Sequence, residues 1–147
     1  MKHQSLAVIY WDTSAVISAL FRDAHSDEAW KWSRTDGVHL LSTLALAESH
    51  AVIARLKRER ILADVLITAA LQALENGPWY QLHIAPSPGE IRLLAEKWPL
   101  PGADLWHLAA AKTVQKEIPE IKMLAFDSRL LVAAEGEGLL LTEDRRS

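Results

Sequence analysis

Leu6-Ala7-Val8-Ile9-Tyr10-Trp11-Asp12-Thr13-Ser14 is the stretch that decides how the rest of the chain is read. Six apolar residues follow one another without a polar break. That is the pattern of a strand covered on both faces, as in parallel sheets sandwiched between helices. A carboxylate comes next, then two hydroxyl residues, the types that cap a helix. Residues 15–21 read as that helix. A buried strand therefore delivers Asp12 to its own carboxyl end.

The same alternation continues outward. A second helix is expected over 26–34, stopped by Asp36-Gly37, and a short strand over 38–41. Ser42-Thr43 caps a helical pattern running to about Arg60. Another helix over 61–75 ends at Asn76-Gly77-Pro78, a strong breaker. Residues 80–85 are strand-like, and Pro86-Ser87-Pro88 opens a helix that stops near Trp98-Pro99. Pro101-Gly102 precedes a helix over 103–114. A strand over 123–126 leads into Asp127-Ser128 and a helix to Ala134. Gly136 and Gly138 then break the chain before Leu139-Leu140-Leu141, read as a last strand. Strands alternating with helices imply a three-layer α/β/α fold around a central, mostly parallel sheet of four to five strands. No repeat, low-complexity tract or long linker interrupts it, so residues 1–147 read as a single domain.

Composition narrows the class. A chain of 147 residues, 50% hydrophobic, has the size and apolar content of one domain. It should bury roughly two-thirds of its unfolded surface. The absence of cysteine excludes disulfides and thiolate metal sites, and fits a reducing cytosol. The apolar run after Met1-Lys2-His3-Gln4-Ser5 is too short for a signal peptide, and no run approaches the roughly 20 residues of a membrane span. A soluble, cytoplasmic protein with no membrane partner is expected. The formal charge of −3 withholds the bulk attraction that basic nucleic-acid-binding modules use. Any nucleic-acid contact must come from a local patch or a bound cation.

Open α/β sheets place their sites beyond the carboxyl ends of the strands. Twice an aspartate stands there, Asp12 and Asp127. Two more acids point the same way. The helical neighbours of Glu48 at i−4, i−3, i+3 and i+4 are Leu44, Ala45, Ala51 and Val52, all apolar, which puts Glu48 on the inward stripe. Asp104 opens its helix and shares a face with Leu108 and Ala111. Singly, each has a plainer reading: a salt bridge or helix edge for Glu48, a first-turn acid for Asp104, and helix caps for Asp12 and Asp127. Together they suggest four carboxylates at one rim. Each such pair repels by about 1 kcal/mol at 4 Å in water and by more when partly buried. Either some stay protonated or a cation joins them. Oxygen-only donors suit Mg²⁺ or Mn²⁺, and Mg²⁺ takes only one or two direct carboxylates. Such an ion lowers the pKa of bound water and neutralises a phosphodiester in its transition state.

At these residues the chain resembles the PIN-domain family, most closely the VapC-type ribonuclease toxins of type II toxin–antitoxin systems. The resemblance rests on residues 10–15, on 42–48 with Ala54-Arg55-Leu56, on 103–111, and on 126–130 with Ala133-Ala134 and Gly138-Leu139. The segments come in the family's order and span nearly the whole chain. One departure is Ala125, where the family often carries Thr or Ser two residues before its fourth acid. The resemblance implies a Mg²⁺- or Mn²⁺-dependent endoribonuclease, a homodimer neutralised by a cognate antitoxin protein. It makes Asp12, Glu48, Asp104 and Asp127 the catalytic quartet. Asp12 and Asp104 would hold metal, with Glu48 and Asp127 acting directly or through water. Thr13 and Ser14 would support them.

Arg55, Lys57 and Arg58 belong to the one dense basic run and are candidates for RNA phosphate contact, or simply a solvated helix end. His107 lies three residues after Asp104, either within ligand reach or packed. Trp11 and Trp106 flank the acids and suit either base stacking or the core. Trp30 and Trp32 point to different sides of one helix, so one of them is expected at the surface, available to a partner. Rival classes fit less well. A haloacid-dehalogenase pattern wants Asp where Ser14 stands, and no receiver-type acidic pair or glycine-rich phosphate loop occurs. The remaining alternative is a catalytically silent PIN-like module that binds a protein or RNA.

Overall fold

The computed structural model describes residues 6–143; the opening Met1–Ser5 and the last residues of the expected 1–147 domain lie outside it. The first strand, β1 (Ala7–Trp11), pairs in parallel with β2 (Gly37–Ser42) on one side and with β4 (Ile121–Leu124) on the other. β3 (Trp79–Leu82) adds to β2, again in parallel, so the order is β3-β2-β1-β4. β1 is therefore central, and its Ile9, Tyr10 and Trp11 are fully buried. Each such large side chain contributes about 1.5–3 kcal/mol of burial.

Strand alternation divides the core. Ile9 and Trp11 face α1 (Thr13–Leu20), α2 (Ser26–Ser33), α3 (Thr43–Arg58) and α4 (Asp64–Asn76). Tyr10 faces α5 (Pro88–Lys97), α6 (Gly102–Gln115) and α7 (Ser128–Gly136). The fold is α/β in three layers, with a four-stranded parallel sheet and seven helices among the described residues. Ala109, Ala110 and Ala111 of α6 are wholly buried, and their small side chains bring that helix close to the sheet. Gly37 opens β2 opposite Ala7 with φ +156°; a Cβ there would stand 2.2 Å from the Ala7 carbonyl oxygen, so only glycine fits.

Two expectations are corrected. Leu139-Leu140-Leu141 is no strand: it makes one isolated parallel bridge, Met123 to Leu140, after a turn at Gly138 with φ +76°. Leu139 is buried, so the apolar run records burial rather than a ladder. Strand-like residues 83–85 leave the sheet, and β3 ends at Leu82.

The chain steps from β1 to β2 to β3 through α1–α4, then returns to the far side of β1 through α5 and α6. The direction of winding reverses between β1 and β4. That switch point is where an open α/β sheet leaves a crevice at its carboxyl edge.

Candidate active site

The crevice is a cavity of about 540 Å³, and Asp12, Glu48, Asp104 and Asp127 all line it. Asp12 ends β1 and caps α1. Its Oδ1 accepts from the Ala15 amide (2.9 Å) and the Ser14 hydroxyl (2.8 Å), while its own amide donates to the Leu124 carbonyl of β4. Asp127 follows β4 and caps α7, accepting from the amides of Arg129 and Leu130. Asp104 enters from the first turn of α6, and Glu48 from α3.

The four differ in exposure. Asp12 is only 3% exposed, Glu48 and Asp104 are half-buried, and Asp127 is exposed. Glu48 sits on the flank of its helix: the buried stripe of α3 is Ala45, Ser49 and Ile53, while Ala51 is exposed. The apolar neighbours that suggested an inward Glu48 thus include one at the surface. Burial, and then the carboxylate of Asp104, push Asp12 above the ordinary Asp value of 3.8, against the hydrogen bonds from Ala15 and Ser14. Burial likewise raises Asp104, helped by Asp127 and Glu48.

The acids nevertheless do not close into a tight cage. Among the described residues, no three or more His, Asp or Glu side chains are arranged to hold a metal ion as they stand. Capping commits Oδ1 of Asp12 and of Asp127 to backbone amides. The donor set, all carboxylate oxygen, still fits a hard cation that retains its waters and takes one or two direct ligands.

Around Glu48 lies a chain of hydrogen bonds that sequence reasoning did not find. Thr13 donates its hydroxyl to Oε1 of Glu48 (2.6 Å). His107 Nε2 lies 3.2 Å from the same oxygen and 3.1 Å from Thr13 Oγ1. On the far side of the ring, Nδ1 is 2.7 Å from the Tyr10 hydroxyl. His107 is therefore more than core packing, though it is buried. Asp23 is a fifth acid on the wall, accepting from Ser18, and the rings of His25 and Phe126 stack there at 4.5 Å. Nothing periodic marks Asp23 or His25 in the sequence, because both stand in the turn between α1 and α2.

Other expected residues fall elsewhere. Lys57 and Arg58 line a second hollow, with Arg60 and residues 61–64, and Arg55 pairs with Glu59 at 3.6 Å. Trp11 is fully buried and donates to His39, so it offers no ring to a ligand. Trp106 is half-buried against the core. Of the α2 pair, Trp32 joins the core, and Trp30 is half-buried rather than exposed, donating to the Ala19 carbonyl.

A three-layer sheet with carboxylates gathered at its switch point defines an acidic-site α/β protein. The PIN domain model matches residues 9–146, and the chain belongs to that family. PIN domains are typically metal-dependent nucleases. No curated protein matches the sequence. Among solved structures, the chain is similar to VapC20 of Mycobacterium tuberculosis, a sarcin-ricin loop cleaving toxin. That match has a TM-score of 0.57 and 18% identity, over 90% of this chain and 96% of that one. It is also similar to PAE2754 of Pyrobaculum aerophilum, with a TM-score of 0.58 and 18% identity, over 88% and 81%. At such identity the likeness speaks for the fold. Among the described residues, no helix is long and apolar enough to cross a membrane.

Proposed function

We propose that the chain, as one domain over 1–147, is a Mg²⁺- or Mn²⁺-dependent endoribonuclease, the toxin of a toxin–antitoxin pair. The observation that carries the reading is the cavity at the switch point, where four carboxylates converge and burial raises Asp12 and Asp104. Such a site gains stability from a divalent cation. When bound, the ion supplies an activated water and neutralises the phosphodiester as charge builds. Asp12 and Asp104 would hold it, Glu48 and Asp127 would act directly or through water, and Ser14 and Thr13 fix the orientations of Asp12 and Glu48. Arg55, Lys57 and Arg58 contact RNA phosphates. A homodimer, and a cognate antitoxin that neutralises it, complete the proposal.

The test is cleavage of RNA by the purified protein with Mg²⁺ or Mn²⁺ and none with EDTA. Equal cleavage in EDTA would falsify the metal mechanism. No cleavage of any RNA, with binding retained, would instead favour the silent binding module. Growth arrest on expression, relieved by the product of the adjacent upstream gene, tests the toxin reading.

A further inference from the structure

With a neutral His107 ring, the hydrogen-bond chain behind Glu48 has one internally consistent set of protons. A carboxylate accepts only, so the His107 nitrogen 3.2 Å from Glu48 Oε1 must carry hydrogen, and this is Nε2. Nδ1 is then an acceptor and takes the Tyr10 O–H at 2.7 Å. Thr13 gives its single hydrogen to Glu48, which leaves its lone pairs to share the Nε2–H of His107. The opposite neutral tautomer would aim a bare Nε2 at a carboxylate, and its Nδ1–H would occupy the phenol oxygen, leaving the Tyr10 hydrogen without His107 as its acceptor.

We infer that His107 is a positioning residue: fixed from behind by Tyr10, it holds Glu48 by Oε1 and leaves Oε2 to the cavity. The relay joins four elements, namely β1 through Tyr10, α1 through Thr13, α3 through Glu48 and α6 through His107. Buried at 2% exposure, the ring cannot swing to another partner without giving up its bonds to both Tyr10 and Glu48. What Glu48 is held for rests on the metal-site reading above; the hydrogen-bond chain itself does not.

Two measurements separate these. In metal-free wild-type protein, ¹⁵N NMR of the imidazoles should show His107 as the Nε2–H tautomer, and Glu48→Gln should shift that signal. An Nδ1–H ring, or a signal indifferent to Glu48→Gln, overturns the inference. Calorimetric titration with Mn²⁺ then compares His107→Leu, which keeps bulk but no donor, with His107→Gln, which keeps an N–H in reach. Loss of an outer partner of a metal ligand weakens binding about 10-fold or more. That loss is expected in the Leu variant and largely recovered in the Gln variant. Equal loss in both, with both folded by circular dichroism, overturns the positioning role. Wild-type protein that binds no Mn²⁺ sinks the metal reading alone, and the tautomer still decides the chain. Should the Leu variant fail to fold, the NMR pair decides by itself.

Discussion

Thr13 and Glu48, 35 residues apart, meet at 2.6 Å between Oγ1 and Oε1, which ties the first turn of α1 to α3 across the mouth of the acidic cavity. The hydroxyl is part of the chain's first turn after β1, so the carboxylate of a distant helix is oriented by the residue next to Asp12. That proximity makes substitutions at Asp12 informative.

Asp12→Asn should abolish RNA cleavage while leaving the fold intact. The amide oxygen still accepts from Ala15 and Ser14, so the cap of α1 survives. Asp12→Ala loses the cap as well, at about 0.5–2 kcal/mol. Urea denaturation should therefore separate the two variants while a cleavage assay does not.

The raised Asp12 sets a pH dependence in the metal-free protein. The unfolded residue loses its proton near 3.8 and the folded one only at higher pH. Between these the folded state binds more protons, so stability falls as pH rises from about 3.8 through the raised value, then stays lower. Asp104 works in the same direction. Thermal melts should show this decline, Asp12→Asn should flatten it, and Mn²⁺ should raise the midpoint more at neutral pH than in acid. A decline identical in the Asn variant would assign it to other groups.

Glu137 has the opposite sign. Burial pushes its pKa up, but bonds from Lys97 (2.8 Å), Trp98 Nε1 (2.9 Å) and Lys112 (3.4 Å) outweigh burial and bring it below the ordinary 4.5. Its contribution is present above 4.5 and fades as pH falls through the lowered value. Glu137→Gln should cost about 1–2 kcal/mol at neutral pH, discounted because Lys97 is largely exposed. The gap from wild type should close in acid, as read by denaturant midpoints at each pH.

Gly136→Ala should destabilise by about 1–3 kcal/mol through overpacking. The added Cβ would stand 2.4 Å from two ring carbons of Trp98, and that ring is held by Glu137 through its indole N–H. Near-wild-type stability would mean that the indole swings away freely.

Lys57→Ala and Arg58→Ala should raise KM for RNA and leave kcat near wild type, because both lie in a hollow apart from the acids. Each lost phosphate contact should lower the log–log salt slope by about 0.7 for single-stranded RNA. A kcat effect without a KM effect would remove these residues from substrate binding.

The acids that stand after strands were legible, because an unbroken apolar run such as Ala7–Trp11 has a definite end and the next residue is at it. The alternation of elements likewise carried the three layers. Glu48 was harder: its helical neighbours resolve a face only to within one residue, so a flank and a centre look alike. Leu139–Leu141 misled because burial and strand pairing produce the same letters. Tyr10–His107, 97 residues apart, was out of reach, since a hydrogen bond between two layers leaves no period in either segment. Asp23 was missed for a related reason: a turn residue's position depends on how α1 and α2 pack.

The central place of β1 bears on how the protein is made. Its register partners are Gly37–Leu41 on one side and Ile121–Leu124, more than a hundred residues later, on the other. A chain still on the ribosome, with only its first hundred residues released, can pair β1 with β2 and β2 with β3, but not β1 with β4. Asp12 then lacks the Leu124 carbonyl that its amide donates to, Glu48 lacks His107, and Asp127 has not emerged. The acidic cavity therefore cannot close before residues 121–127 are free. A nascent segment shorter than that carries Asp12 and Glu48 but not the cavity they line.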